Sequence, residues 1–490
     1  MKFKDSLSKI RQSKLASNSI WGSGAMAIQT ILSSIFFLLV ARTYEPIEFG
    51  SFLIATTIYQ VVVAFSSLGL APWFIREFLK RKDKEAFSNH FLITQTKLGL
   101  LFSIFNILLI FVIYDDHKIR ILGTILSCNI IFDNVTYVIR NMNIALAQQK
   151  KTAFLLISDG FLKLLIGVGI LVIPVSIIYL CIFFVIAKIL TITAFVLMDT
   201  SGFYKLQNIV KQKSSWNEVK LLLFRNWKFI IIGSISIIFW RVSHIIISKF
   251  LSLEDVSNYE IAFRIFSIFL IVPTIGAATV YPRFVKLNLD GEFYKIKSLY
   301  KDCVIFLTIF SIISYGFIQT FGETILLNTF GSSYYGAVLC MREMFVSILI
   351  FPILLIQANL IVALGKEKLD MIFNILSLLA NVVISITVVK ITFSLSGINY
   401  SVFASLIIFY VLQGITLKKL GVTSSKSLIL SYCITASVPL MYIFLSKFLN
   451  HYYIFGISTI IALGYALVTV SLKQEATNTD YQKAAAINNI

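Results

Sequence analysis

The sequence predicts an all-α polytopic membrane protein of about fourteen transmembrane helices, built as two six-helix lobes related by a parallel repeat plus a C-terminal helix pair. Three observations predict it. First, 58% of the 490 residues are hydrophobic and only 14% are charged. A water-facing surface of that size needs about a quarter charged residues, so most of this chain faces lipid. Second, apolar runs near the roughly twenty residues that cross a ~30 Å hydrocarbon core recur along the chain. Third, Lys and Arg concentrate in alternate loops.

The runs are 19–41, 49–71, 91–113, 121–138, 153–173 and 176–198, then 229–251, 259–281, 304–326, 338–363, 372–391 and 400–417, and a last pair at 428–445 and 453–472. They predict a cytoplasmic N-tail (1–18), an N-lobe (19–200), a linker (201–228), a C-lobe (229–420), the helix pair (421–472) and a cytoplasmic tail (473–490). The N-tail carries Lys2, Lys4, Lys9, Arg11 and Lys14. It leads into a long run with no small-residue cleavage site, which reads as a retained first span. In the linker, 215–228 alternates Trp, Leu and Phe with Lys and Arg, the pattern of an amphipathic helix on the inner surface.

Loops expected inside hold most of the cations, for example Arg76, Lys80, Arg81, Lys82 and Lys84, or Lys205, Lys211, Lys213, Lys220, Arg225 and Lys228. The intervening loops hold Arg42, Lys118, Arg120, Lys249, Lys390 and Lys447. The bias places both termini in the cytoplasm and accounts for the net charge of +19 without a nucleic-acid partner. Trp21, Trp73, Trp216 and Trp227 fall at inner-interface positions. The five cysteines lie in or beside apolar runs with no CxxC spacing, and the four histidines are scattered. Neither a metal site nor a cofactor is expected, and no Gly-rich phosphate loop is present.

The chain repeats itself. At an offset of 207, Arg42 falls on Lys249, Phe52 on Tyr259, Ala55 on Ala262, Ile58 on Ile265, Gly69 on Gly276 and Arg76 on Arg283. NIALAQQKK at 143–151 matches NLIVALGKE at 359–367 at a slightly larger offset. Six helices separate the copies, so both have one orientation. Such parallel repeats place substrate between two lobes that rock against each other.

The same residues carry a family likeness. ARTYEPIEFG at 41–50, Gly69 and Arg76-Glu77 resemble the start of the polysaccharide and O-antigen flippases. So do SKFLSLEDVSNYEIA at 248–262, Tyr281-Pro282-Arg283, Phe330-Gly331 before Tyr334-Tyr335, and ALGK at 363–366, the whole likeness spanning about 15–420. The family belongs to the multidrug/oligosaccharidyl-lipid/polysaccharide exporter superfamily. The resemblance implies a bacterial inner-membrane flippase for undecaprenyl-pyrophosphate-linked oligosaccharide, working beside polymerase and chain-length proteins. Many relatives have an acidic residue in helix seven where this chain has Ser243 and His244, which weakens a simple ion-coupling scheme.

Charges inside spans cost at least about 2.5–3.5 kcal/mol and normally face a partner or a wet cavity. The candidates are Lys97, Asp133, Asp159, Lys163, Lys188, Arg241, His244, Glu260, Arg264, Arg342 and Glu343. Asp159 and Lys163 share a helix face, as do Glu260 and Arg264. Arg241 has no carboxylate on its own helix face, and Glu260 is its nearest candidate across the short connection. Arg241 and Arg264, with Glu260, Lys163 and Lys97, are the expected pyrophosphate and sugar site, because a guanidinium binds two phosphate oxygens in its plane. Asp159, Asp133 and Glu260 are candidates for ion coupling. Asp133 reads equally as a packing residue beside Asn134, and Lys97 and Lys188 as snorkelling or cavity-lining. Arg342 and Glu343 are interfacial or a gate. An ion-coupled multidrug exporter and a lipid II flippase of the same superfamily stay open as alternatives. A membrane glycosyltransferase or polymerase is remote, because the outer loops are all short and a carboxylate pair such as Asp115-Asp116 reads as a solvated acidic turn.

Overall fold

The computed structural model describes residues 14–146, 148–173, 175–198, 216–423 and 425–465. The chain forms two compact units, Met1–Glu260 and Ile261–Ile490.

The first unit contains α1 (Lys14–Thr43), α2 (Pro46–Ser66), α3 (Ala71–Lys80), α4 (Lys84–Ile113), α5 (His117–Ser127), α6 (Asn129–Ala145), α7 (Gln149–Val172), α8 (Ile177–Met198) and α9 (Trp216–Phe250). Local chemistry sets the helix starts. Pro46 opens α2, where its missing N–H costs nothing. Asp83 caps α4 by accepting from the Ala86 N–H (3.2 Å), and Asp116 caps α5 through the Ile119 N–H (2.9 Å). Leu68 and Gly69 both take a φ of +57°, which ends α2 and turns the chain into α3.

Helix α2 is the centre of this unit. In its membrane-length window 78% of residues are buried, against 28% for α4, so α2 is walled by protein while α4 shows most of its surface outward. It packs against α4, α5, α6, α8 and α9. Helix α1 lies along α7. Gly160 and Gly167 permit this, because a Cβ at either would sit 3.0 Å from Leu32 or Leu39 of α1.

The cut between the units falls inside α10 (Leu253–Phe269). The second unit continues with α11 (Ile271–Leu289), α12 (Phe293–Phe330), α13 (Gly336–Met344), α14 (Phe351–Ala363), α15 (Glu367–Thr392), α16 (Leu395–Lys419), α17 (Ser425–Leu445) and α18 (451–465). Helices α13 and α14 form one span broken by a 3-10 turn at Phe345–Leu349. The break has a cause: Pro352 has no N–H, and its ring crowds the carbonyl four residues back. At 72% buried, this broken span is the core of its unit, touching α11, α12, α15 and α16.

Among the described residues nine helices are long and apolar enough to cross a membrane, or ten if α10 and α11, bent by 42°, count as one. The chain is a multi-pass membrane protein. The fourteen spans expected are not all reached within the described residues; the end of the last expected span lies outside them. Residues 216–228, expected as a separate surface helix, instead form the first turns of the 35-residue α9, because no proline interrupts the run. The rest of the linker lies outside the described residues.

The helix ends follow the repeat. Thr43 and Phe250 close their helices, and Pro46 and Leu253 open the next ones, both pairs at the 207-residue offset. Arg42 and Lys249 each occupy the last turn, where a cation suits the helix dipole. Gly69 and Gly276 diverge: Gly69 sits in the left-handed break, Gly276 inside α11.

Candidate functional site

Helices α6, α7 and α8 each bring charge to one place in the first unit. Asp133 lies on α6, Asp159 and Lys163 on α7, and Lys188 on α8. The Lys163 ammonium donates to Asp159 Oδ2 at 2.7 Å, the expected same-face pair. Lys188 lies 2.8 Å from Asp133 Oδ1 and 3.5 Å from Asp159 Oδ1, so one ammonium serves two carboxylates. Tyr59 of α2 donates its hydroxyl to Asp133, and Gln29 of α1 donates to Asp159 Oδ2 at 3.5 Å. The Lys163 ammonium also lies 5.0 Å from the centre of the Phe184 ring. The side chains are 3–16% exposed, so water screens them little. Two positive and two negative charges leave the cluster neutral. The mutual attraction of the paired charges offsets part of the cost of taking them out of water.

A second cluster spans the α9–α10 connection. Arg241 Nη1 donates to Glu260 Oε2 at 3.0 Å, and His244 Nε2 lies 2.5 Å from the same oxygen. His244 is fully buried and packs edge-on against Tyr259 at 5.0 Å. Glu260 is thus where the sequence placed it, opposite Arg241. His244 meets the same carboxylate oxygen. Arg264 follows one turn later on α10, half-buried.

The remaining candidates lie elsewhere. The Lys97 ammonium is 5.7 Å from the Trp216 ring, at the first turn of α9. Lys249 donates to the carbonyl of Ile113, at the last turn of α4, and lies over the Tyr114 ring. Arg283 is exposed on α11, and Arg76 lies on α3. In the second unit Arg342 Nη2 lies 3.2 Å from Glu323, and Asn399 Nδ2 donates to Glu343 at 3.1 Å.

Sequence reasoning missed Tyr59 and Gln29, and it missed that Lys188 bridges Asp133 to Asp159. Neither Asp133 nor Lys188 has an opposite charge three or four residues away on its own helix, so helical spacing gave no partner for either. Asn134 is a structural hub: it accepts from Ser66 (2.7 Å) and donates to the Gln95 carbonyl (3.1 Å), tying α2, α4 and α6.

A family model described as "Polysaccharide biosynthesis protein" matches residues 15–288, more than half of the chain. The chain belongs to the polysaccharide biosynthesis protein family. This is the family that the motifs at 41–50 and 248–262 resemble. All four charges of the first cluster, and Arg241, His244 and Glu260, lie inside the matched segment. A putative O-antigen transporter of Salmonella typhi is 30% identical over 88 residues, 18% of this chain and 20% of that protein, so the match spans about a fifth of that relative's length. Two solved structures share the fold of this family member. One is lipid II flippase MurJ in an inward closed conformation, at TM-score 0.70 and 16% identity over 94% of this chain and 99% of that one. The other is an inward-facing multidrug resistance MATE family transporter of the MOP superfamily, at TM-score 0.67 and 12% identity over 81% and 96%.

Proposed function

We propose that the protein is a flippase that carries undecaprenyl-pyrophosphate-linked oligosaccharide units from the inner to the outer leaflet of the bacterial inner membrane, for O-antigen, capsule or another surface polysaccharide. The observation that carries this reading is the charge held inside the spans of a polysaccharide biosynthesis family member: amines and a guanidinium, each against a carboxylate, within single helices' reach. A carboxylate partner keeps each cation tolerable in the empty protein. A diphosphate offers more charge and more acceptor oxygens than a carboxylate, so it competes for the same donors. Arg241, Arg264, Lys163 and Lys97 are the proposed headgroup ligands, with Glu260 releasing Arg241 when the substrate arrives. The polyprenyl tail stays in lipid.

Transport proceeds by alternating access, with both termini cytoplasmic as the loop charges require. Asp133, Asp159 and Glu260 are the proposed coupling groups: a proton reaching one of them frees its amine or guanidinium for the substrate. Polymerase and chain-length proteins of the same pathway are the proposed partners on the outer side.

The test has two parts. A strain lacking this protein accumulates the lipid-linked repeat unit on the inner leaflet and loses the surface polysaccharide; accumulation of a peptidoglycan precursor instead would assign it to lipid II. Proteoliposomes with the purified protein then flip a labelled lipid-linked oligosaccharide, and flipping falls when the proton gradient is clamped to zero. An unchanged rate removes the coupling and keeps the flippase.

A further inference from the structure

The second unit holds a cavity of about 670 Å³, within the range of small-ligand sites, that none of the proposed transport residues line. It lies among α12, α13, the turn that follows it, α16 and α17, and its two ends differ. Arg342, Glu343 and Gln319 gather at the end nearest the turn at 331–335. Apart from the hydroxyls of Tyr315, Tyr400 and Tyr410 the rest is apolar, with Phe403 and Ile407 of α16 and Leu440 of α17 in the lining. The lining of α16 runs from Tyr400 to Val411. At ~1.5 Å per residue that is a slot about 16 Å long, parallel to the spans. Leu440 is 64% exposed and Ile407 40%, so the slot opens sideways to the surface rather than being sealed in the core.

The polar end decides what fits. Its lining carries one carboxylate, Glu343, and one guanidinium, Arg342, which pairs with Glu323 outside the lining. Arg342 spends Nη2 on Glu323, and its Nε has no hydrogen-bond partner among the described residues. His451 opens α18, just before the last expected span, and burial with the nearby guanidinium of Arg342 lowers its pKa. The lining thus sets one cation and one anion side by side, on successive residues of α13. A diphosphate head would find one cation for its several charges and a carboxylate against it. A head with one phosphate and one ammonium meets a partner for each.

We propose that this cavity binds a zwitterionic aminophospholipid, with its ammonium against Glu343, its phosphate on Arg342 and one acyl chain along the slot between α16 and α17. The site requires only that the chain spans a membrane, so it stands or falls apart from the flippase reading. By the loop charges it belongs to the outer leaflet.

Native mass spectrometry of the full chain, delipidated and then titrated separately with phosphatidylethanolamine, phosphatidylglycerol and undecaprenyl diphosphate, tests it. The expected result is about tenfold stronger retention of phosphatidylethanolamine than of phosphatidylglycerol, the scale of one charge-assisted contact. Glu343→Gln should erase that preference, and Ile407→Trp, which fills the slot, should abolish retention. Thermal unfolding identifies a variant that has lost its fold; if Glu343→Gln does so, Ile407→Trp decides. Equal retention of the two phospholipids, a preference that survives in the folded variants, or displacement of phosphatidylethanolamine by undecaprenyl diphosphate would each overturn the proposal.

Discussion

Lys188 holds two carboxylates on two other helices, and its removal has a calculable consequence. Lys188→Met leaves Asp133 with only the Tyr59 hydroxyl, while Asp159 keeps Lys163. Breaking a buried pair from one side costs about 3–5 kcal/mol, so the variant should unfold well below the native protein in detergent. Adding Asp133→Asn restores neutrality, and the double variant should recover most of the loss; additive losses in a double-mutant cycle would show that the bridge is not formed. Arg241 and Glu260 separate balance from transport. Arg241→Gln and Glu260→Gln singly should each lower folded yield. Together they should restore yield but not flipping, if the guanidinium handles substrate. Flipping by the double variant at the native rate would reduce the pair to charge balance. Of these contacts the sequence revealed only those with short separation. Asp159 with Lys163 follows from helical spacing, and Arg241 with Glu260 from a short connection, two residues long in the structure. Lys188 with Asp133 depends on how α6 and α8 pack, which spacing along one chain does not encode.

Helices were the most legible level, because twenty apolar residues in lipid leave the backbone no alternative to satisfying its own hydrogen bonds. Their interruptions were less so. Pro352 could have announced the break between α13 and α14, since proline stops a helix from either medium. The continuation of 216–228 into α9 could not be read, because an amphipathic pattern fits a surface helix and the wet first turns of a span alike. Close approaches between helices are testable. A Cβ on Gly50 would lie 2.9 Å from the carbonyl carbon of Leu253 and 3.1 Å from its Cβ, so the obstacle is backbone. Nearby, Ser257 Oγ donates to the Pro46 carbonyl at 2.6 Å, fixing the start of α10 on the start of α2. Gly50→Ala should therefore cost about 1–3 kcal/mol, read as a lower unfolding temperature. An unchanged temperature would mean that these two helix starts are free to part.

At the scale of the whole molecule, composition and loop charge carry the membrane class, and the repeat carries the matched helix ends at Thr43 and Phe250. Few charges in 490 residues also mean that each intramembrane charge stands out, so the charged members of both clusters were visible as candidates, while the uncharged Tyr59 and Gln29 were not. The unequal seating of Lys188, 2.8 Å from one acid and 3.5 Å from the other, has a mechanical side. A slide of α8 by less than an ångström would hand its ammonium from α6 to α7, turning a displacement too small to alter packing into an exchange of ionic allegiance.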